Sequence, residues 1–462
     1  MKTIFPEYGN ARLEVHVPPQ TETRGMQGSP APLEGKVAIA YALEHPCSSP
    51  SLAEIAREKL ARNPSSNAVI VVSDNTRPVP YKGEDGLIAP LIQTLLDQGF
   101  QASQITVLIG AGSHRNMDPA EIEAMLGLAA SGLGDIAVVN HEYEVNSQLT
   151  FLGQTNRGSN VWINRLYMEA DLKIVTGLVE SHFMAGASGG RKGICPGIVG
   201  KETLNIFHGA KLLSSTHAAD MVLEGNPLHD EALEVALMAG CDFLVNATID
   251  GEKRITGIFA GNLQAAHQAA VQKIRTYVMV PLAHLYDIVI IPAGFVGVNH
   301  YQVAKAAIEA SRAVKPGGQI IMIARHTDPD PVGGEGYKTS LKLLHATGKE
   351  KFMSMILKPE WKLIQEQWQV QMWCKVLDVV GTKENLLYCA LEIPESEYEY
   401  LSVTPCISMA DGNTPLKKME TMVEKAIEFA CAQSGKNTPS ILFLQDGPYG
   451  IPEVLQPPVP PE

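Results

Sequence analysis

The sequence predicts an α/β protein with mainly parallel sheets, divided into two domains. Three observations predict it. Short β-branched apolar runs alternate with helical patterns along most of the chain, as βαβ units with right-handed crossovers require. The length, 462 residues, exceeds what one small core organises. The composition, 45% hydrophobic and 19% charged, is that of an ordinary globular protein.

The elements follow in order. Residues 18–35 are rich in Pro, Gly and Ser and read as an irregular loop. AVIVVSD (68–74) is a buried strand, and GLIAPLIQTLLDQG (86–99) a helix closed by glycine. ITVLIG (105–110), IAVVNH (136–141) and DLKIVTGLVE (171–180) are strands, with a helix at PAEIEAMLG (119–127). CDFLVNATID (241–250) and ITGIFAG (255–261) precede a helix over 263–278. A second series opens with the strand YDIVIIPAG (286–294) and the helix YQVAKAAIEASRAV (301–314). KPGG (315–318) is read as a turn before the strand QIIMIA (319–324). SILFLQDG (440–447) is a late strand, and QPPVPPE a frayed tail. The division is therefore placed at 1–280 and 281–462. Ligands of open α/β sheets bind beyond the carboxyl ends of strands, so the residues just after strands are where chemistry is expected.

Charge and cysteine usage exclude several classes. A net charge of -13 argues against a general nucleic-acid or anionic-membrane binder. It leaves room for a small anion in a local basic pocket. The first residues have no apolar core of a secretory signal, and no run approaches the ~20 apolar residues of a membrane span. Seven scattered cysteines without a CxxC pair suit reduced thiols in a cytoplasm. Cys195 is read as a buried structural thiol.

Six clusters fall after strands or on helices. SDNTRPVP (73–80) offers Asp74 as a hydrogen-bond acceptor and Arg77 as a fork for a carboxylate or phosphate; the plain alternative is a turn with a surface ion pair. GAGSHR (110–115) presents His114, able to exchange protons near neutral pH or simply to bond structurally. ESHFMAGASGGRKG (180–193) surrounds Lys192 with small residues. It lacks the GxxxxGK[ST] and GxGxxG patterns, so it is no standard phosphate loop. Its reading is either a loop with solvated Arg191 and Lys192, or a place where something bulky approaches the backbone. TLNIFHGAKLL (203–213) reads as a helix carrying His208. NHYQVAKAA (300–308) sets Tyr301, Gln302 and Lys305 on the first turns of a helix, where an anion is favoured. IQEQWQVQMW (364–373) is amphipathic and carries Trp368 and Trp373, with core packing expected of at least one.

Taken together and in order, these motifs resemble the nickel-pincer-dependent lactate racemases and related 2-hydroxy-acid racemases. The resemblance runs through most of residues 70–375. Its most specific part is His182, then Lys192, then His208, supported by SDNTRP, GAGSHR, ESHFMAGASGGRKGICPGI, YQVAK and the QW at 367–368. It implies that Lys192 carries pyridinium-3,5-bisthiocarboxylic acid mononucleotide, the nickel-pincer nucleotide. Two sulfurs and one ring carbon of that group bind nickel, and His208 matches the protein ligand. Square-planar Ni(II) with soft sulfur donors is sensible chemistry. The small residues, Gly189 and Gly190 among them, are then expected to clear space around the tethered ring.

The resemblance also implies a mechanism. A histidine takes the hydroxyl proton of a 2-hydroxy acid while hydride leaves C2 for the cofactor, and the planar 2-oxo acid receives it back on either face. His114 and His182 match the two bases, Arg77 the carboxylate clamp and Lys305 a second cation. Asp74 is expected to position a base or contact the bound groups. Tyr301 and Gln302 are expected at the cofactor phosphate or the substrate, and Trp368 beside the cofactor. The site would lie in the cleft between domains, and loading would need cofactor-maturation proteins. Malate, an aromatic 2-hydroxy acid or a sugar acid are alternative substrates, with Arg115 or Arg191 as partners of a second carboxylate. The alternative of another class is a non-redox anion- or nucleotide-binding α/β protein.

Overall fold

The computed structural model describes residues 1–28 and 30–455. The tail expected at 456–462 lies outside the described residues. The chain forms two compact units: Gly28–Thr276, and Met1–Gln27 together with the chain from Tyr277 onward.

The Gly28–Thr276 unit holds a six-stranded sheet in the order Ile255–Gly261, Phe243–Ile249, Leu172–Leu178, Ala68–Ser73, Ile105–Gly110, Ala137–Asn140. Every neighbouring pair is parallel except the first, which is antiparallel. The two central strands are almost wholly buried, which is why they read as unbroken apolar runs and not as alternating ones. Helices are started by side chains that occupy orphan N–H groups. Ser51 and Asp118 each make a reciprocal capping box, and Asn226 accepts from the helix that begins at Pro227.

Strand order reverses between Ala68–Ser73 and Leu172–Leu178, and the sheet opens there. Their ladder stops at Val175 opposite Val71. Beyond it the buried Tyr81 hydroxyl enters the gap, accepting from the Ser73 N–H at 2.7 Å and lying 2.9 Å from Thr176 Oγ1. Asp74 to Arg77 leave one side of this crevice, and Glu180 to Lys192 the other.

The second unit has an all-parallel sheet in the order Thr404–Pro405, Leu386–Cys389, Val314–Ile323, Tyr286–Pro292, Ile441–Leu444, Glu22–Arg24. Two expectations change here. KPGG does not separate elements. It bulges within the single strand Val314–Ile323, whose register with Tyr286–Pro292 jumps from Val314 to Gln319. The first 27 residues, expected with the N-terminal domain, belong to this unit. Glu22–Arg24 is its edge strand, and Leu13, Val15 and Val17 enter its core beside Ile288, Ile290 and Met419. Isolated short strands give no sign of which sheet they will join, so this assignment was invisible in the local pattern.

Leu13→Ala is expected to destabilise this unit by about 2–5 kcal/mol, the cost of a buried cavity. Leu33→Ala, at a side chain 46% exposed in the other unit, is expected to change stability by under ~0.5 kcal/mol. Urea unfolding of both variants followed by circular dichroism checks this; equal effects would contradict the placement.

Candidate active site

Asp74 follows the Ala68–Ser73 strand and is 4% exposed. Its Oδ2 lies 2.6 Å from His114 Nδ1, and its Oδ1 accepts from Thr76 Oγ1 at 2.6 Å. Burial works against the carboxylate. The His114 and Thr76 bonds outweigh it and hold the Asp74 carboxyl below its ordinary value. With Nδ1–H given to Asp74, neutral His114 keeps its lone pair at Nε2, and its side chain is 54% exposed. That nitrogen can take a proton, and the carboxylate behind it stabilises the imidazolium that results.

Across the crevice, the chain leaving Leu172–Leu178 makes a tight hairpin in which His182 pairs with Gly186. His182 is held in the opposite sense from His114. Its Nδ1 accepts from the backbone N–H groups of Met184 and Ala185, both at 3.2 Å. Its Nε2 lies 3.1 Å from Lys192 Nζ. Lys192 sits on the turn Gly190–Gly193. Burial, then the positive charges of Arg77 and Arg191, push its ammonium well below the ordinary lysine range. Its Nζ is 5.3 Å from the centre of the Phe207 ring, next to His208. Burial and the Lys192 charge push His208 down to about 3, so it is a neutral imidazole at pH 7. A neutral imidazole is what a metal ligand must be. Among the described residues no group of three or more His, Cys, Asp or Glu is placed to hold a metal unaided. A metal beside His208 would therefore take its other donors from elsewhere.

Three sequence expectations are revised at this loop. The glycines do not clear a cradle. A Cβ on Gly189 would lie 2.7 Å from Val179 Cγ2, and one on Gly190 would lie 2.6 Å from the His267 ring. Both have positive φ, 70° and 55°. The missing side chains let the loop lie against its own sheet and helix, and so fix Lys192. Arg191 is not a solvated or substrate-facing cation. It is 1% exposed, donates to Ala185 O at 2.7 Å and lies 3.0 Å from His267 Nε2. The N–H groups of Gly190, Lys192 and Ile194 bond to Asn246 Oδ1, Gly189 O and Arg191 O. His208 is also not inside one helix. It caps Lys201–Phe207, and Gly209 separates that helix from Ala210–Leu213.

Arg77 is 40% exposed, with its NH1 4.0 Å from Glu180 Oε2, a loose contact that leaves it able to meet an anion. Arg115 forks onto Glu121 at 2.8 and 2.5 Å. In the other unit, the helix His300–Ser311 carries Tyr301, Gln302 and Lys305. Tyr301 OH accepts from Trp368 Nε1 at 3.0 Å, and its carbonyl accepts from Gln369 Nε2 at 2.6 Å. Trp373 is fully buried and donates to Tyr337 OH, the core role expected of one tryptophan. Residue-type reasoning missed Thr76, Asn246 and His267. Asn246 had a visible signal, one amide inside the apolar run FLVNATI; it clamps Gly190 from full burial.

Asp74→Asn is expected to reduce acid sensitivity. The native carboxyl titrates below the unfolded one, so its contribution is complete above about pH 4 and fades as pH falls toward the native value. The urea midpoint of the parent should drop more between pH 7 and pH 3 than that of the variant; an equal drop would contradict the bond. Gly190→Ala is expected to cost about 1–3 kcal/mol through overlap with His267 and strained φ. Gly251→Ala, which meets nothing within 4 Å, is the neutral control in the same unfolding assay.

Comparison with known proteins identifies the family. Residues 8–220 match the lactate racemase N-terminal domain, and residues 283–382 the lactate racemase C-terminal domain. The chain is 32% identical to lactate racemase of Lactiplantibacillus plantarum over 75% of its own length and 78% of the relative's. It is 30% identical to lactate racemase of Thermoanaerobacterium thermosaccharolyticum, over 82% and 86%. The solved lactate racemase apoprotein of that organism superposes with a TM-score of 0.81 at 26% identity, covering 98% of this chain and 100% of that one. A Thermotoga maritima protein of 17% identity shares the fold at a TM-score of 0.59, over 88% and 100%. The chain belongs to the lactate racemase family.

Proposed function

We propose that this chain interconverts the two enantiomers of lactate, or of a closely similar 2-hydroxy monocarboxylic acid, using a nickel-pincer nucleotide bound covalently to Lys192. The observation that carries the reading is the pair of histidines on opposite sides of the opened sheet, one backed by Asp74 and the other against Lys192. The donor set fits the cofactor. Lys192 has the low basicity that acylation requires, and His208 is a neutral imidazole near it. His208 would hold the nickel, Lys192 the pyridinium ring, and Gly189 and Gly190 would fix the lysine rather than touch the ring. When bound, the group supplies a reversible hydride acceptor, which avoids building negative charge on a carbon beside a carboxylate.

The remaining work belongs to the chain. Arg77 meets the substrate carboxylate and turns C2 toward the site. His114 takes the hydroxyl proton of one enantiomer at Nε2, while Asp74 keeps the ring oriented and balances its charge. The family resemblance assigns His182 to the hydroxyl presented on the other face. The resemblance assigns Lys305 the role of a second cation and Tyr301, Gln302 and Trp368 the role of contacts to the bound groups. A monocarboxylate is favoured over malate because both candidate partners of a second carboxylate are engaged, Arg115 with Glu121 and Arg191 with Ala185. A cytoplasmic setting with maturation proteins for loading completes the reading.

The chain, made in a host that loads a related racemase, should yield a Lys192 peptide heavier by a nucleotide-sized adduct, and about one nickel per chain by the one-histidine ligand scheme. Enantiopure lactate should then racemise by chiral chromatography, faster than malate. His114→Ala or His182→Ala should slow it by about 10²–10⁴-fold, the worth of a general base. An unmodified Lys192 without nickel, beside a loaded control, would sink the cofactor assignment.

A further inference from the structure

The cation that meets the substrate carboxylate has a carboxylate beside it already. Among the described residues the ion-pair partner of Arg77 is Glu180, whose Oε2 lies 4.0 Å from Arg77 NH1. Glu180 is fixed through its backbone. Its N–H donates to Ser188 Oγ at 2.9 Å, its carbonyl accepts from the Ser188 N–H at 2.9 Å, and Ser188 is buried. The Ser188 hydroxyl in turn donates to Leu178 O at 2.8 Å, at the end of the central strand. The sheet therefore sets where this carboxylate stands. Its side chain and that of Arg77 are each 40% exposed. A pair this long and this wet is weak, so Arg77 stays available to an anion while the negative charge of Glu180 stays next to it. Asp74, the buried acid on the opposite wall, is instead bonded to His114 and Thr76.

We propose that Glu180 is a specificity-determining residue, a carboxylate that tolerates one negative group on Arg77 and rejects an acid that brings a second. The argument rests on the reading of Arg77 as the carboxylate clamp. In a four-carbon 2-hydroxy diacid the two carboxyl carbons are three C–C bonds apart, roughly 4 Å. With the first carboxylate on Arg77, the second lies within about 12 Å of Glu180 in the least favourable orientation and much nearer in most, against a screening length of about 10 Å at 0.1 M salt. A monoanion meets the Glu180 charge once. A dianion meets it twice for the same single guanidinium. The filter reads charge and not size, so it leaves uncharged substituents at C3 to other contacts.

The test uses the unloaded chain and reads Arg77 itself. Phenylglyoxal modifies arginine, and peptide mass spectrometry gives its rate at Arg77 relative to Arg62, a surface arginine 74% exposed. Lactate and malate are titrated as protectants at pH 8 and constant ionic strength, on the parent, Glu180→Gln and Glu180→Asp. In the parent, lactate should protect Arg77 better than malate. In Glu180→Gln both should protect better, and the malate-to-lactate ratio of protection constants should rise by about two- to fivefold, the worth of one partly exposed charge pair. Glu180→Asp keeps the charge and should keep the parent ratio, which a role in shape alone would not predict. An unchanged ratio in Glu180→Gln, or the same rise in Glu180→Asp, would overturn the proposal while leaving the clamp in place. Failure of both acids to protect Arg77 in every chain would remove the clamp and the proposal with it. Neither nickel nor turnover enters the measurement, so its outcome is separate from that of the cofactor assignment.

Discussion

The site depends on one place where two parallel strands stop pairing. Beyond Val71 and Val175 the central ladder of the Gly28–Thr276 unit ends, and a buried tyrosine hydroxyl completes the hydrogen bonds the strands no longer make. Without that separation Asp74 and Glu180 would continue as neighbouring strand residues, and no side chain could stand between them. The opening follows from topology. Helices on either side of a reversal in strand order pack on opposite faces, so the loops diverge.

What fills the opening is asymmetric. The two histidines have the same side chain and opposite hydrogen bonding, because one meets a carboxylate and the other a pair of backbone N–H groups. Burial supplies the rest of the tuning. It is the largest cause lowering the basicity of Lys192 and His208, and the nearby guanidinium groups add to the effect on the lysine. A loop of small residues serves this by bringing the backbone close to Asn246 and His267, so that the lysine stands on a fixed base.

Much of this was legible in the chain. The principal strands of both sheets were visible as β-branched runs, because strands buried on both faces have no polar positions to break the pattern. The motif residues were visible because chemistry restricts side-chain type after a strand. The role of the glycines was not, since a glycine in a sequence shows that something is close but not whether it is a ligand or the protein itself. The same holds for Arg191, a charged residue in a loop, which is normally solvated and here is buried by the fold.

The sequence by itself determined the α/β class, the main strands along the chain and the candidate site residues, because periodicity and side-chain type are local properties. Only the tertiary structure decided how those residues are used. It seated the N-terminal strand in the sheet of the second unit, committed Arg115 and Arg191 to partners of their own, and gave the Nδ1 atoms of His114 and His182 different partners, a carboxylate and two backbone N–H groups. Each of these turns on hydrogen bonds between atoms distant in the chain, and such bonds exist only once the core has closed around them.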